Sequence, residues 1–273
     1  MSLRLPDFLV IGAVKSGTTT LYHWLEQQPE IFMSPKKEPR FFDKNWDRGT
    51  SWYAEFFTHA RDDQLAGEAS PQYSNLEAGA LAAERIAALL PDARLVYLVR
   101  HPVDRMLSEY RYNVQRKLVD GSFLEKDRER IVGASCYHAR LSPYIERFPR
   151  EQICVVRFED MINADGAGWT QILRHLGLAD RPSPGTVHNV TRNYPKATPM
   201  TRRLSSMRRK LGLPRPPAAL RSALARSRPP VYVDPVTDDD LPVLDEVAPQ
   251  VWDDITRLEA WLGVSDPLWS RSA

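Results

Sequence analysis

The sequence predicts an α/β fold of the P-loop type, a mostly parallel sheet flanked by helices on both faces. Three observations carry the prediction. Short apolar runs suited to buried strands recur along the chain, helical patterns stand between them, and the segments richest in reactive side chains follow directly on the runs. Strands that alternate with helices need crossover connections, which give parallel pairing with both faces covered. Ligands of such sheets bind beyond the carboxyl ends of the strands. A chain of 273 residues is long enough to enclose the required core, and we read residues 1–273 as a single domain.

The elements follow in order. Leu9-Val-Ile-Gly12 reads as a buried strand ending in a turn of small residues, and Leu21, Trp24 and Leu25 open an amphipathic segment after it. Further strands are expected around Gln64 to Gly67, from Arg94 to Val99 and from Gln152 to Arg157. Helices are expected over Ala78 to Leu90, Val103 to Gln115, Tyr137 to Phe148 and Ala164 to Leu176. The stretch from Arg181 to Pro235 is rich in Pro, Ser and Arg; we expect a long basic loop with one short helix, acting as a lid that orders on binding. A last helix, from about Asp238 to Leu262, aligns Leu241, Leu244, Val247, Val251, Ile255, Leu258 and Leu262 on one face.

Composition narrows the functional classes. Hydrophobic residues make up 42% and charged residues 26%, ordinary for a globular protein, and the net charge is only +2. The charge is uneven: no Asp or Glu lies between Asp180 and Asp234, where Arg192, Lys196, Arg202, Arg203, Arg208, Arg209, Lys210 and Arg215 fall. Such a block is either a solvated face or an anion-binding surface. It lacks interleaved aromatics and any nucleic-acid motif, which argues against a nucleic-acid partner. Cys136 and Cys154 are expected in a helix and a strand as buried thiols, with no disulfide and no metal site. With no apolar run near the roughly 20 residues a bilayer requires, and no leader pattern, the expectation is a cytoplasmic enzyme without a membrane segment.

The chemistry concentrates in two places. The loop Gly12-Ala-Val-Lys-Ser-Gly-Thr-Thr-Thr20 follows a strand and opens a helix, so backbone N–H groups and a helix N-terminus converge where a phosphate would fit, and Lys15 adds a point charge. It is not a Walker A loop, because the lysine precedes Gly17 by two positions instead of following it. Taken alone, the loop is also compatible with a plain connection. The second place is Arg100-His-Pro-Val-Asp-Arg-Met-Leu-Ser-Glu-Tyr110, at the end of the Arg94 strand. Arg100 with Ser108 two turns into the next helix suits a second phosphate, since guanidinium forks pair with two oxygens at once. A strand-capping arginine paired with Asp104 is the alternative at this point.

Together, the order and settings of these two motifs resemble the sulfotransferases that use 3'-phosphoadenosine 5'-phosphosulfate (PAPS). Three further segments extend the likeness to the heparan sulfate sulfotransferase branch and its bacterial relatives: Lys37-Glu-Pro-Arg-Phe-Phe-Asp43, Gly67-Glu-Ala-Ser-Pro-Gln-Tyr73, and Arg192-Asn-Tyr-Pro195. The helix Leu258-Glu-Ala-Trp-Leu-Gly263 and Trp269 are also similar to the family's C-terminal part. The resemblance implies sulfuryl transfer from PAPS to a hydroxyl or amine of a glycan or small molecule, with release of adenosine 3',5'-bisphosphate (PAP) and no metal requirement. It implies that Lys15, Ser16, Gly17, Thr18, Thr19 and Thr20 hold the 5'-phosphosulfate and Arg100 and Ser108 the 3'-phosphate. Arg192 and Tyr194 would lie over the cofactor. Lys15 would stabilise charge growing on the bridging oxygen, an interaction strongest in the transition state. Glu38 would be the general base. Otherwise it is a surface glutamate paired with Lys36 or Arg40. His23 and His59 are further base candidates, while His101 reads as structural.

Two positions depart from that branch. Its motif histidine is Arg40 here, and a common lysine is Ala69, so Arg40 and Asp43 become candidate acceptor contacts for a substrate other than heparan sulfate. Trp46, Trp52, Tyr53, Phe56 and Phe57 read mainly as core. A kinase-like phosphotransferase or a non-enzymatic nucleotide- or nucleic-acid-binding protein are the competing classes; the first would need magnesium and ATP.

Overall fold

The computed structural model describes residues 3–116, 128–187 and 241–271. Five strands form one sheet: β1 (Phe8–Gly12), β2 (Ile31–Met33), β3 (Leu65–Ala69), β4 (Arg94–Val99) and β5 (Ile153–Arg157). Their order is β2-β3-β1-β4-β5, and every neighbouring pair is parallel. The central strand β1 is buried at all five residues, as a parallel strand covered on both faces must be.

Alternation along the strands deals the side chains into two cores. Leu9 and Ile11 of β1, Leu95, Tyr97 and Val99 of β4, and Ile153 and Val155 of β5 point to one face. There they meet α3 (Gly79–Leu89), α6 (Tyr137–Ile145) and α9 (Leu241–Leu262). Phe8 and Val10, Val96 and Leu98, and Cys154 and Val156 point to the other. That face is covered by α1 (Thr18–Glu26) and α8 (Ala167–His175), whose Trp24 and Trp169 rings meet edge to face at 5.6 Å. Among the described residues the remaining α-helices are α2 (Gly49–Ala54), α4 (Pro102–Arg116), α5 (Arg128–Gly133) and α7 (Phe158–Ile162).

The expected helices are present with small shifts of boundary. The exception at the amino end is α8, which begins at Ala167 because Gly166 takes a left-handed conformation (φ 61°) before it and α7 stands separately. Strand β2 was not anticipated: three residues are too few to show a period. Cys136 does not lie in a helix; it is the residue before α6, where the chain still runs non-helically. Both thiols are free and buried, and burial pushes them up to about 11 for Cys136 and about 12 for Cys154. The expected lid over Arg181 to Pro235 falls, from residue 188 on, outside the described residues, as do Arg192, Tyr194 and the Arg202–Arg215 cluster. Among the described residues no helix is long and apolar enough to cross a membrane.

Candidate active site

The carboxyl ends of β1 and β4 lie side by side, and the two phosphate motifs leave from them. After β1 the chain turns sharply: Ser16 N–H donates to the Ala13 carbonyl at 3.2 Å, Lys15 is left-handed at φ 69° and Gly17 at φ 90°. Gly17 then stands at the N-cap of α1 and has no side chain with which to occupy the first-turn N–H groups. No acidic residue lies in that turn, so the positive end of the helix is open to an anion. Glycine is required twice over at position 17. A side chain there would be strained, and its Cβ would lie 2.2 Å from the Phe158 ring. Thr18 and Thr20 are buried and Thr19 half-buried; Ser16 is fully buried.

Phe158 also receives Arg100. The Arg100 guanidinium lies over the Phe158 ring, 5.4 Å from its centroid, and its carbonyl accepts a hydrogen bond from the Tyr137 hydroxyl at 2.7 Å. One ring, on the first residue after β5, therefore packs against both motifs. Ser108 is buried on α4, and Tyr112, one turn further along the same face, puts its ring under Lys15 with the ammonium 3.9 Å from the centroid. The fully buried Arg105 fixes α4 to its surroundings. It donates to the Ser135 hydroxyl at 2.6 Å, the Glu109 carboxylate at 2.6 Å, the Ile131 carbonyl, and the Val14 carbonyl of the loop at 3.4 Å. Glu109 is paired a second time by Arg130, so the buried charges are compensated. The His101 ring meets those of Trp252 and Trp269 at 5.7 and 6.2 Å, and the His101 backbone N–H donates to the Glu159 carboxylate at 2.8 Å.

The segment after β2 forms the other side. Ala69 N–H donates to the Lys37 carbonyl at 3.2 Å, which lays the segment along the end of β3. The Glu38 carboxylate is held by the Lys37 ammonium at 2.9 Å and by the Gln72 amide at 2.8 Å. Partial burial pushes its pKa up, but Lys37, Gln72 and the Arg40 charge outweigh this and leave it below the ordinary value. Its cationic partner is thus Lys37. Gln72 sits on the short turn Pro71–Ser74, which packs so tightly on the end of β1 that a Cβ at Gly12 would lie 2.2 Å from the Ser74 hydroxyl. That turn joins the Glu38 segment to the strand carrying the phosphate loop. Arg40, left-handed at φ 55°, pairs with the buried Asp43 carboxylate through its Nε at 2.9 Å, so both candidate acceptor contacts engage each other. Phe41 stacks on Tyr53 at 4.3 Å and 7°, and Phe57 is buried with them. Trp46, Trp52 and Phe56 are half-buried around this cluster. His23 is paired with Glu26 on the exposed side of α1.

Four residues at this site were missed from the sequence: Tyr112, Phe158, Gln72 and Glu68. Glu68 and Gln72 lay in the segment Gly67 to Tyr73 but carried no assigned role, Tyr112 had a signal in its i+4 spacing from Ser108, and Phe158 had none.

Two neighbouring strand ends shaped to receive anions thus lie beside a carboxylate on the adjoining segment, on a P-loop-type parallel sheet. The family can be stated directly: the chain belongs to the sulfotransferase family, whose domain model, described as "Sulfotransferase domain", matches residues 5–213. The chain is 40% identical over 116 residues to the membrane-associated sulfotransferase kil1 of Dictyostelium discoideum, covering 41% of this chain and 24% of the relative. It is 29% identical over 189 residues to the heparan sulfate glucosamine 3-O-sulfotransferase 3A1 of Mus musculus, covering 65% and 47%. It spans about half or less of the length of these relatives. The fold is also that of a sulfotransferase from Alicyclobacillus acidocaldarius, at a TM-score of 0.67 and 23% identity over 96% of this chain and 98% of that one.

Proposed function

We propose that this protein transfers a sulfuryl group from PAPS to a hydroxyl or amine of a glycan or small-molecule acceptor. The observation that carries the reading is the Phe158 ring, which packs closely against Gly17 and also lies under the Arg100 guanidinium. Two anion-receiving points beside one ring suit a nucleotide phosphorylated at two positions. The residues fit PAPS: a helix N-terminus without an acidic neighbour, a lysine, and an arginine on the next strand. PAPS supplies the sulfuryl group, and PAP is the leaving group.

In this proposal the N–H groups of Thr18, Thr19 and Thr20, with Ser16 and Gly17, hold the 5'-phosphate end in place. Lys15 moves its ammonium from the Tyr112 ring to the oxygen on which charge develops, and neutralises it. Arg100 and Ser108 hold the 3'-phosphate, with Arg192 and Tyr194 assigned to the same nucleotide. Glu38 takes the acceptor proton on its carboxylate; its lowered pKa keeps it ionised at neutral pH. Arg40 and Asp43 flank the acceptor. The half-buried aromatic rings and the departures at Arg40 and Ala69 support an acceptor other than heparan sulfate. One domain over residues 1–273 and a cytoplasmic location belong to the same proposal, the latter supported by two free cysteines.

Calorimetric titration with PAP tests the reading. Tight binding without magnesium, lost in Arg100→Ala and not reproduced by ATP or AMP, is the expected result. Binding of ATP with magnesium but not of PAP would instead indicate a phosphotransferase.

A further inference from the structure

Beneath the Glu38 segment lies a carboxyl group that the proposed reaction does not use. Glu68, on the fourth residue of β3, is fully buried. Its Oε1 accepts the Tyr53 hydroxyl at 2.7 Å and the Tyr73 hydroxyl at 2.8 Å, and its Oε2 accepts the Ser70 hydroxyl at 2.5 Å. Two of these three hydroxyls have a second bond, to the segment above. Ser70 Oγ accepts the backbone N–H of Arg40 at 3.2 Å, and Tyr73 OH accepts that of Phe42 at 3.4 Å. Both N–H groups belong to the strained stretch in which Arg40 is left-handed and Asp43 is paired. A non-glycine residue in that conformation is strained and persists where its surroundings over-determine it.

We propose that Glu68 is a positioning residue: through Ser70 and Tyr73 it holds the backbone of Arg40 to Phe42, and with it the geometry in which Glu38, Arg40 and Asp43 face the acceptor. The proposal rests on the sulfotransferase reading for the identity of the reaction, but the hydroxyl relay is defined without it. An ionised Glu68 accepts all three hydroxyl hydrogens. A protonated one must donate its own proton, and the nearest oxygen is Ser70 Oγ, which is already receiving Arg40 N–H. One hydroxyl must then turn away, so the relay holds the segment best when Glu68 is charged. Burial outweighs the three donors and raises the Glu68 pKa to about 7, with the Asp43 charge acting in the same direction. The titratable groups around it are Asp43, Tyr53, Tyr73 and, from α6, Tyr144; burial raises all three phenols, so they stay neutral through this range.

Glu68→Gln preserves the shape and mimics the neutral state. We expect amide hydrogen exchange at Arg40 and Phe42 to quicken at least tenfold at pH 8, with PAP affinity within twofold of wild type. Slow hydrolysis of PAPS, with water as acceptor and PAP release as readout, should fall about tenfold. In the wild type, protection at these two amides, corrected for intrinsic exchange, should rise with pH through an inflection near 7 that Glu68→Gln lacks. Ser70→Ala and Tyr73→Phe, each cutting one arm, should quicken Arg40 and Phe42 respectively and serve if Glu68→Gln does not fold. Unchanged exchange at both amides, or quickening spread evenly over the sheet, would overturn the proposal. Failure of the base assignment looks different: Glu38→Gln would then keep PAPS hydrolysis while Glu68→Gln still loses it.

Discussion

The two halves of the site are built by opposite means. On the proposed nucleotide side, backbone does most of the shaping: a left-handed lysine, a glycine N-cap, a helix N-terminus without an acidic neighbour and a ring that fits only against a residue without Cβ. On the acceptor side, side chains shape one another: Lys37 and Gln72 on Glu38, Arg40 on Asp43, and Tyr53, Ser70 and Tyr73 on Glu68. Backbone sites tolerate little change in chain geometry but leave their donors to the ligand. Side-chain networks are already satisfied within the protein, so a substrate must compete with existing partners or use what they leave. The difference suits the proposed roles, a nucleotide grip in one half and an acceptor site in the other.

The largest effect should come from the one side chain assigned to the reacting bond. Lys15→Ala should lower sulfuryl transfer roughly 10²–10³-fold, by analogy with the loss of an oxyanion donor, while PAP binding falls much less. Turnover and calorimetry on the same preparation separate the two. Glu38→Gln should sharpen the contrast between the halves. We expect turnover to drop by about 10²-fold or more, with nucleotide affinity unchanged, since its partners all lie on the acceptor side. Because its pKa is lowered, the acidic limb that Glu38 sets should fall below the ordinary glutamate range, separate from the partial loss near 7 that Glu68 sets; a limb near neutrality that persists in Glu68→Gln would contradict the assignment. Gly17→Ala should do the reverse, weakening PAP binding at least tenfold. The left-handed backbone costs about 1–2 kcal/mol and the Phe158 ring must shift. Thermal melts with and without PAP would read both.

The smallest effect lies outside both halves. Burial, followed by the Arg94 charge, lowers the His175 pKa to about 4, so the folded state keeps this ring neutral. The unfolded chain titrates near the ordinary 6.5. Its stabilising contribution is therefore complete above that value and is lost as pH falls from 6.5 towards 4. His175→Gln should flatten the decline of melting temperature over that window without altering PAP affinity.

The same contrast governs how much was legible in the sequence. The strand–turn–helix form of the proposed nucleotide side could be read because Gly12 to Thr20 and Arg100 to Ser108 are contiguous, and backbone geometry is encoded locally by glycine placement and strand–helix order. The acceptor side could be read only in part. Lys37 to Asp43 and Gly67 to Tyr73 stood out as segments, yet nothing local shows that Gln72 reaches Glu38 or that Tyr53, fifteen residues before Glu68, shares its carboxylate. Phe158 had no signal at all, because its importance comes from packing against two distant turns. Strand β2 was too short to show alternation, and the start of α8 was displaced by a left-handed glycine that a propensity reading passes over.

The last described segment has a consequence in time. Asp254 of α9 accepts the N–H groups of His138 and Ala139 at 2.8 and 2.9 Å, capping α6 from more than a hundred residues away. Trp269 lies against His101 and donates to Glu159, and the Leu268 carbonyl receives Arg157. The walls around Arg100 are therefore finished by residues made after it, after Phe158 and after the whole sheet. On the ribosome, the residues of the five strands emerge before those that make these contacts, so we expect the surroundings of Arg100 to be completed last. A nascent chain stalled before Asp254 lacks the cap on α6 and the Trp269 contacts, and we expect it to bind PAP more weakly than the full chain.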